Sequence, residues 1–318
     1  MRNNKKDKEP QKRIDPFRSQ KSNRKRARTV TSALAVVTVL SILLAGRLGE
    51  LKTLLGLDSL YEKAQESRCA VIFPDSGSAG CAVICTGEHR ILIDCGREKA
   101  QTDPVEILDM LGTQTIDLAV LTHPDSDHIG CYKPVAERCD ISTFLTCEYA
   151  KNESSPLYRE LVETLEAHNV PLVYAPPDDV FTFGETTLEV LSPTRLYDSS
   201  NDNSVVLRLE CGGFTALFPG DISSKVERDI LESGKNVSAD LLYVPHHGSS
   251  SSTSDDFLNA VSPQYAVISI EQDRYRPSES TIAKLSDFGC EIFRTDRSGT
   301  LAILYDGNQI TVVETKKH

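Results

Sequence analysis

The run I-D-L-A-V-L-T-H-P-D-S-D-H at residues 116–128 joins an apolar segment of strand length to two histidines and two aspartates crowded into six positions. So short an apolar run, bounded by turn residues, reads as a buried strand rather than a helix. Its C-terminal end delivers His123, Asp125, Asp127 and His128 to one place. Ionisable groups beside a core are costly unless paired or bound to a metal, and mixed imidazole and carboxylate suit a divalent ion. A hydrogen-bonded turn is the plain alternative for this cluster taken alone.

Two further strand ends carry the same kind of residue. Asp221 follows A-L-F-P-G, and His246 and His247 follow L-L-Y-V-P. In α/β architectures, side chains at the C-terminal ends of buried strands converge on one rim, where binding sites form. The residue types suit a pair of divalent ions about 3.5–4 Å apart, which clamp the attacking and leaving oxygens of a hydrolysis and acidify a bound water into a nucleophile.

Around these strand ends the chain alternates short strands with helices. A-V-I-F, C-A-V-I-C and R-I-L-I-D-C-G, with T-G-E-H as a turn, open a meander from Ala70. A helix at Pro104–Leu111, one from about Leu157 to His168 and strands P-L-V-Y-A and T-T-L-E-V-L-S follow. The second half repeats the texture with S-V-V-L-R-L-E, F-T-A-L-F-P-G-D, D-L-L-Y-V-P, Y-A-V-I-S-I, E-I-F-R-T and L-A-I-L-Y, and with helices near 223–233, 255–261 and 278–288. Two sheets packed face to face with helices outside are expected, in one domain over residues 67–318.

The N-terminus is different in kind. Residues 1–28 hold twelve Lys or Arg against three Asp or Glu, and the remainder 23 against 43, a net of −20. Residues 30–46 carry no charge and have the length of a short membrane span. The expectation is a basic cytoplasmic tail (1–29), an uncleaved single-pass transmembrane helix (30–46) and a weak leucine-spaced juxtamembrane stalk (47–66). The acidic domain then lies outside the cytoplasm, since the Lys/Arg excess precedes the span. So acidic a body argues against a broad nucleic-acid grip, so an anionic substrate must be held locally. Nine cysteines at scattered spacings, with no C-x-x-C pair, give neither a disulfide framework nor a thiolate zinc site.

Taken in order, H-P-D-S-D-H-I-G, N-D-N-S-V-V-L, L-F-P-G-D, V-P-H-H-G-S and R-T-D-R-S-G resemble the metallo-β-lactamase fold hydrolases. The resemblance is to the branch formed by the C-terminal domain of the ComEC/Rec2 competence proteins, and it covers about residues 69–314. It implies an α/β, αββα four-layer sandwich and a metal-dependent hydrolase, in this branch a phosphodiesterase or nuclease. Carried over position by position, it makes His123, Asp127 and His128 metal ligands, Asp221 the bridging carboxylate, His246 the last histidine ligand and Asp94 a structural support. Asp125 stands where the broader superfamily has a second histidine, so one site becomes richer in oxygen, favouring Mn or a weaker Zn. A histidine usual before the G-D strand is replaced by Asn201, Asn203 or Ser204.

Asp127 and His247 are the candidates for the chemical step; His247 either donates a proton to the leaving group or orients its neighbour. Ser204, Ser249 and Arg276 are the candidates for holding the substrate. The expected cofactor is one or two divalent ions, Zn or Mn, and the expected partners are an anionic ester, DNA among them, and the membrane. Hydrolysis of a small ester, lactone or cell-envelope phosphodiester is the rival activity, and a binding module without turnover the rival class. A single span cannot conduct DNA, so the channel role of the competence relatives is not expected to transfer.

Overall fold

The computed structural model describes residues 57–98, 104–271 and 276–315. Helix α1 (Leu57–Glu66) leads into the antiparallel meander β1 (Cys69–Phe73), β2 (Cys81–Thr86) and β3 (His89–Cys95). After α2 (Pro104–Met110) and the two-residue β4 (Thr115–Ile116), strand β5 (Leu118–Leu121) joins β3 in parallel. Short helices α3 (Ser126–Ile129) and α4 (Tyr132–Arg138) lead through β6 (Asp140–Ile141), which pairs with β4, to β7 (Phe144–Thr146), and α5 (Pro156–Ala167) leads on to β8 (Leu172–Tyr174).

The second sheet starts with antiparallel strands β9 (Val180–Phe183), β10 (Thr186–Ser192), β11 (Val206–Cys211) and β12 (Phe214–Phe218). It continues in parallel through α6 (Ser224–Glu232), β13 (Leu241–Tyr243), α7 (Asp255–Val261), β14 (Tyr265–Ile268), α8 (Glu279–Phe288) and β15 (Glu291–Arg294). The short α9 (Thr295–Ser298) returns the chain to the first sheet, which β16 (Leu301–Tyr305) and β17 (Ile310–Glu314) complete beside β1. The orders are β17-β16-β1-β2-β3-β5-β7-β8 and β15-β14-β13-β12-β11-β10-β9. Each sheet is therefore antiparallel on one side and parallel on the other, and the parallel strands end at the site.

Side-chain alternation sorts the layers. Leu207, Leu209, Ala216, Phe218, Leu241, Tyr243 and Val267 face the first sheet in the main core, while Val206, Leu217, Leu242, Ala266 and Ile268 face helices α6, α7 and α8. Those helices return Val226, Ile230, Phe257, Leu258 and Leu285 to the same layer. On the far side, Ile107, Leu108, Val135, Leu161 and Leu165 of α2, α4 and α5 cover the first sheet. The α/β sandwich expected from the sequence is thus observed as helix, sheet, sheet, helix. The nine cysteines are all buried, and among the described residues none forms a disulfide.

The membrane span expected at 30–46 lies outside the described residues, and among the described residues no helix is long and apolar enough to cross a membrane. The second half of the expected stalk is instead part of the sandwich. Helix α1 packs on β1 and β16 and buries Leu60, Tyr61 and Ala64, because its leucine spacing supplies an apolar face to the sheet. Sequence reading also stopped at L-A-I-L-Y, whereas Ile310–Glu314 adds an edge strand after the Asp306-Gly307 turn.

Candidate metal centre

The ends of β3 and β5 lie side by side, and their pairing builds the floor of the site. Asp94, in the left-handed region at φ 55, turns its carboxylate under the end of β5. There Oδ1 accepts the Thr122 N–H at 2.7 Å and Oδ2 accepts the Thr122 hydroxyl at 2.8 Å and the His128 Nδ1–H at 2.7 Å. The Thr122 hydroxyl, its hydrogen spent on Asp94, accepts from His123 Nδ1 at 3.0 Å. Asp94 thus contacts His128 directly and His123 through Thr122, an arrangement that can fix the orientation of both rings.

The second sheet contributes from β11, β12 and β13. Ser204, fully buried ahead of β11, donates to Asn201 O at 2.7 Å and accepts from His123 Nδ1 at 3.3 Å and from the Asp221 N–H at 3.1 Å. It is a brace between a histidine and a carboxylate, not the substrate-binding residue the sequence suggested, because no face of its hydroxyl is open to solvent. Ser204→Ala is expected to lower metal affinity by about 10- to 100-fold, as loss of a ligand's outer partner does, which a titration against a chromophoric chelator would measure.

After β13 the turn Pro245–Gly248 holds His246 and His247 both in the left-handed region, at φ 54 and φ 52. Two such β-carbon-bearing residues in succession are strained, and the strain turns the neighbouring rings apart. His247 is buried with Nδ1–H donating to Ser269 O at 3.0 Å, and its Nε2 lies 3.7 Å from Asp127 Oδ2 and 3.8 Å from Asp221 Oδ2. His246 instead accepts from Arg276 Nη2 at 2.8 Å through Nε2, which is 3.7 Å from Asp221 Oδ2. The geometry thus groups His247 with Asp127 and His128 as a set that could hold a metal, whereas the resemblance implied His246 as the last histidine ligand; His246 stands beside that set, held by Arg276.

Three imidazoles now share one pattern. His123, His128 and His247 each commit Nδ1–H to an outer partner and direct Nε2 inward, and all three Nε2 atoms are buried without a hydrogen-bond partner. The inward atoms face carboxylates: His128 Nε2 lies 3.4 Å from Asp221 Oδ1, and His123 Nε2 3.7 Å from Asp125 Oδ2. Two donors each about 2.1 Å from a tetrahedral ion sit about 3.4 Å apart, so these separations suit ligands arranged around a cation better than hydrogen-bonded pairs. Two triads bring their ligand atoms within 4.8 Å of one another, His123 with His128 and Asp221, and Asp127 with His128 and His247. Donor chemistry and orphaned lone pairs therefore fit divalent metal.

The electrostatics agree. Burial drives His123 down to about 4, which keeps its imidazole neutral, and burial lowers His247 in the same direction. Burial also works against charge on His128, but Asp94 and Asp221 outweigh it and raise that imidazole well above its ordinary range. Burial opposes the Asp221 carboxylate, and His128 and His247 overcome it and hold Asp221 well below its ordinary range. The carboxylates of Asp94 and Asp221 thus favour positive charge at this place. Asp125 is raised by burial and its side chain is 41% exposed, making it the outermost of the candidates.

The Ser249 hydroxyl turns to that of Ser251, 2.9 Å away, while its backbone N–H donates to His246 O at 3.0 Å. Sequence reading passed over Thr122, Gly80 and Arg97. Gly80 donates its N–H to Asp127 O at 2.9 Å and lies against His128, while Arg97, just after β3, reaches Asp127 Oδ2 with Nη2 at 3.4 Å. The signal for Arg97 was its position three residues after Asp94 at a strand end.

This fold and this cluster define a class: the chain belongs to the metallo-beta-lactamase superfamily, whose profile matches residues 77–272. Its relatives include ComE operon protein 3 of Bacillus subtilis (strain 168), 28% identical over 251 residues, which are 78% of this chain and 32% of that protein. Competence protein ComA of Neisseria gonorrhoeae is 31% identical over 245 residues, 76% of this chain and 33% of that protein. The chain thus spans about a third of the length of these curated relatives. Among solved structures, CmlA, a diiron beta-hydroxylase from Streptomyces venezuelae, aligns with a TM-score of 0.50 at 11% identity over 78% of this chain and 54% of its own, a likeness of fold alone.

Proposed function

We propose that the chain is a metal-dependent hydrolase of phosphodiesters, DNA among them, holding one or two divalent ions, Zn or Mn, with Asp127, His128, His247 and Asp221 on one side and His123, Asp125 and Asp221 on the other. The observation that carries this reading is the convergence of three buried, unpartnered Nε2 atoms on two carboxylates. When bound, divalent ions supply Lewis acidity to a phosphoryl oxygen and to the attacking water. The protein's own part is orientation: Asp94, Thr122, Ser204 and the Ser269 carbonyl fix each imidazole as a donor through Nε2. His246 and Arg276, on the exposed side, present polar groups to whatever approaches Asp221.

The resemblance to the competence branch, with a relative named as a competence protein, supports DNA as the ester. The net charge of −20 after residue 28 favours a second reading, a small or envelope phosphodiester, since a polynucleotide is repelled over the whole surface. We place the domain outside the cytoplasm on an anchor at residues 30–46, on the strength of the basic run before it and its uncharged length. The test is hydrolysis of linear DNA and of bis-p-nitrophenyl phosphate by the full chain loaded with Mn or Zn. Cleavage of both supports the first reading, cleavage of the small diester alone selects the second, and turnover of neither with metal bound leaves a binding module.

A further inference from the structure

We propose that Arg97 is the specificity-determining residue that selects an anionic substrate, taking a non-bridging phosphate oxygen at the rim of the centre; this rests on the phosphodiester reading above. Arg97 lies on the loop after β3 and is paired with Asp127 by one nitrogen, 3.4 Å from the same Oδ2 that faces His247 Nε2 at 3.7 Å. Its side chain is 50% exposed, and the contact to Asp127 uses one nitrogen of the guanidinium fork. A planar fork of this kind matches phosphate oxygens in pairs. A half-exposed ion pair at this distance contributes little to stability, which leaves holding Asp127 a weak explanation for the arginine.

The backbone beneath it is rigidly mounted. Gly96 N–H donates to Gly80 O at 2.7 Å, Gly130 N–H donates to Gly96 O at 2.8 Å, and the Cys131 thiol donates to Arg97 O at 3.1 Å. A β-carbon on Gly130 would stand 2.7 Å from the Arg97 carbonyl carbon, so the loop is pressed against the helix that carries Asp127 and His128. Among the described residues, Arg97 and Arg276 are the arginines hydrogen-bonded to residues of the centre, and Arg276 Nη2 is committed to His246 at 2.8 Å. Arg97, with the longer contact, is the freer of the two to turn to a ligand. On a body of net charge −20, a placed cation is what lets an anion approach.

The experiment compares the metal-loaded full chain with Arg97→Gln and Arg97→Lys. It reads binding of inorganic phosphate by calorimetry, KM and kcat on bis-p-nitrophenyl phosphate, turnover of neutral p-nitrophenyl acetate, and bound metal by elemental mass spectrometry. Expected for Arg97→Gln is a rise of about tenfold in phosphate Kd and in KM for the diester, with kcat within about threefold, as fits loss of one charge-assisted contact. Metal content and neutral-ester turnover stay at the wild-type level, and Arg97→Lys recovers part of the loss. Unchanged phosphate binding and KM in Arg97→Gln would overturn the proposal, as would a fall in metal content and kcat alone, which is the mark of a residue that only positions Asp127. Wild-type protein that binds phosphate through Arg97 without turnover sustains Arg97 as an anion-binding residue and overturns the hydrolase reading. Wild-type protein that turns over the diester with no Arg97-dependent binding does the reverse.

Discussion

Asp221→Ala is expected to remove bound metal and to reduce turnover by at least about 100-fold, the upper end for disturbing even the outer partners of ligands. Asp221 is a carboxylate that three of the imidazoles share, 3.4 Å from His128 Nε2, 3.7 Å from His246 Nε2 and 3.8 Å from His247 Nε2. It is buried at the end of β12 and oriented by Ser204, so no neighbouring carboxylate can take its place without rebuilding that end of the sheet. Metal content by elemental mass spectrometry and hydrolysis of bis-p-nitrophenyl phosphate on the same preparation check the two effects together. Full turnover with Asp221 absent would mean that the chemistry lies elsewhere.

Gly80→Ala is expected to have an effect of similar size from a residue that touches no substrate. A β-carbon there would lie 2.5 Å from His128 Nδ1 and 3.0 Å from Asp94 Oδ2, inside the 2.7 Å hydrogen bond that fixes the His128 ring. Neither partner can retreat, since Asp94 is also bonded twice to Thr122 and His128 is buried. Overpacking of this kind costs about 1–3 kcal/mol, and the displaced ring should lower metal affinity by about 100-fold. A urea titration of the metal-free protein reads the first and a chelator competition the second. A variant with wild-type metal affinity would show that His128 is not held where the structure holds it.

Much of this centre was legible because strands report their own ends. L-A-V-L-T and A-L-F-P-G are apolar runs with an abrupt ionisable residue, so His123 and Asp221 could be placed at a rim without coordinates. The same pattern carried the two sheets, since hairpin strands with turn residues between them and βα units after them have different textures. What escaped was set by backbone turns and tertiary contact. His246 and His247 are neighbours of one type, and only the two successive left-handed conformations show which ring enters the cluster. Ser204 was a candidate for holding the substrate, and its burial under Asp221 depends on the meeting of β11 and β12. Gly80 carries no side chain to read, and its place against His128 comes from the loop between β1 and β2 folding over α3. Helix α1 was taken for a stalk because its amphipathic spacing does not say what it packs on.

The most direct test of the centre is the metal stoichiometry of His247→Ala beside that of His246→Ala, measured by elemental mass spectrometry on the full chain after reconstitution with Mn or Zn. His247 presents an orphaned Nε2 to Asp127 and Asp221, while His246 spends its Nε2 on Arg276. The expected result is loss of metal from His247→Ala with wild-type content retained in His246→Ala. Retention by His247→Ala together with loss from His246→Ala would contradict the assignment and return the last histidine ligand to His246.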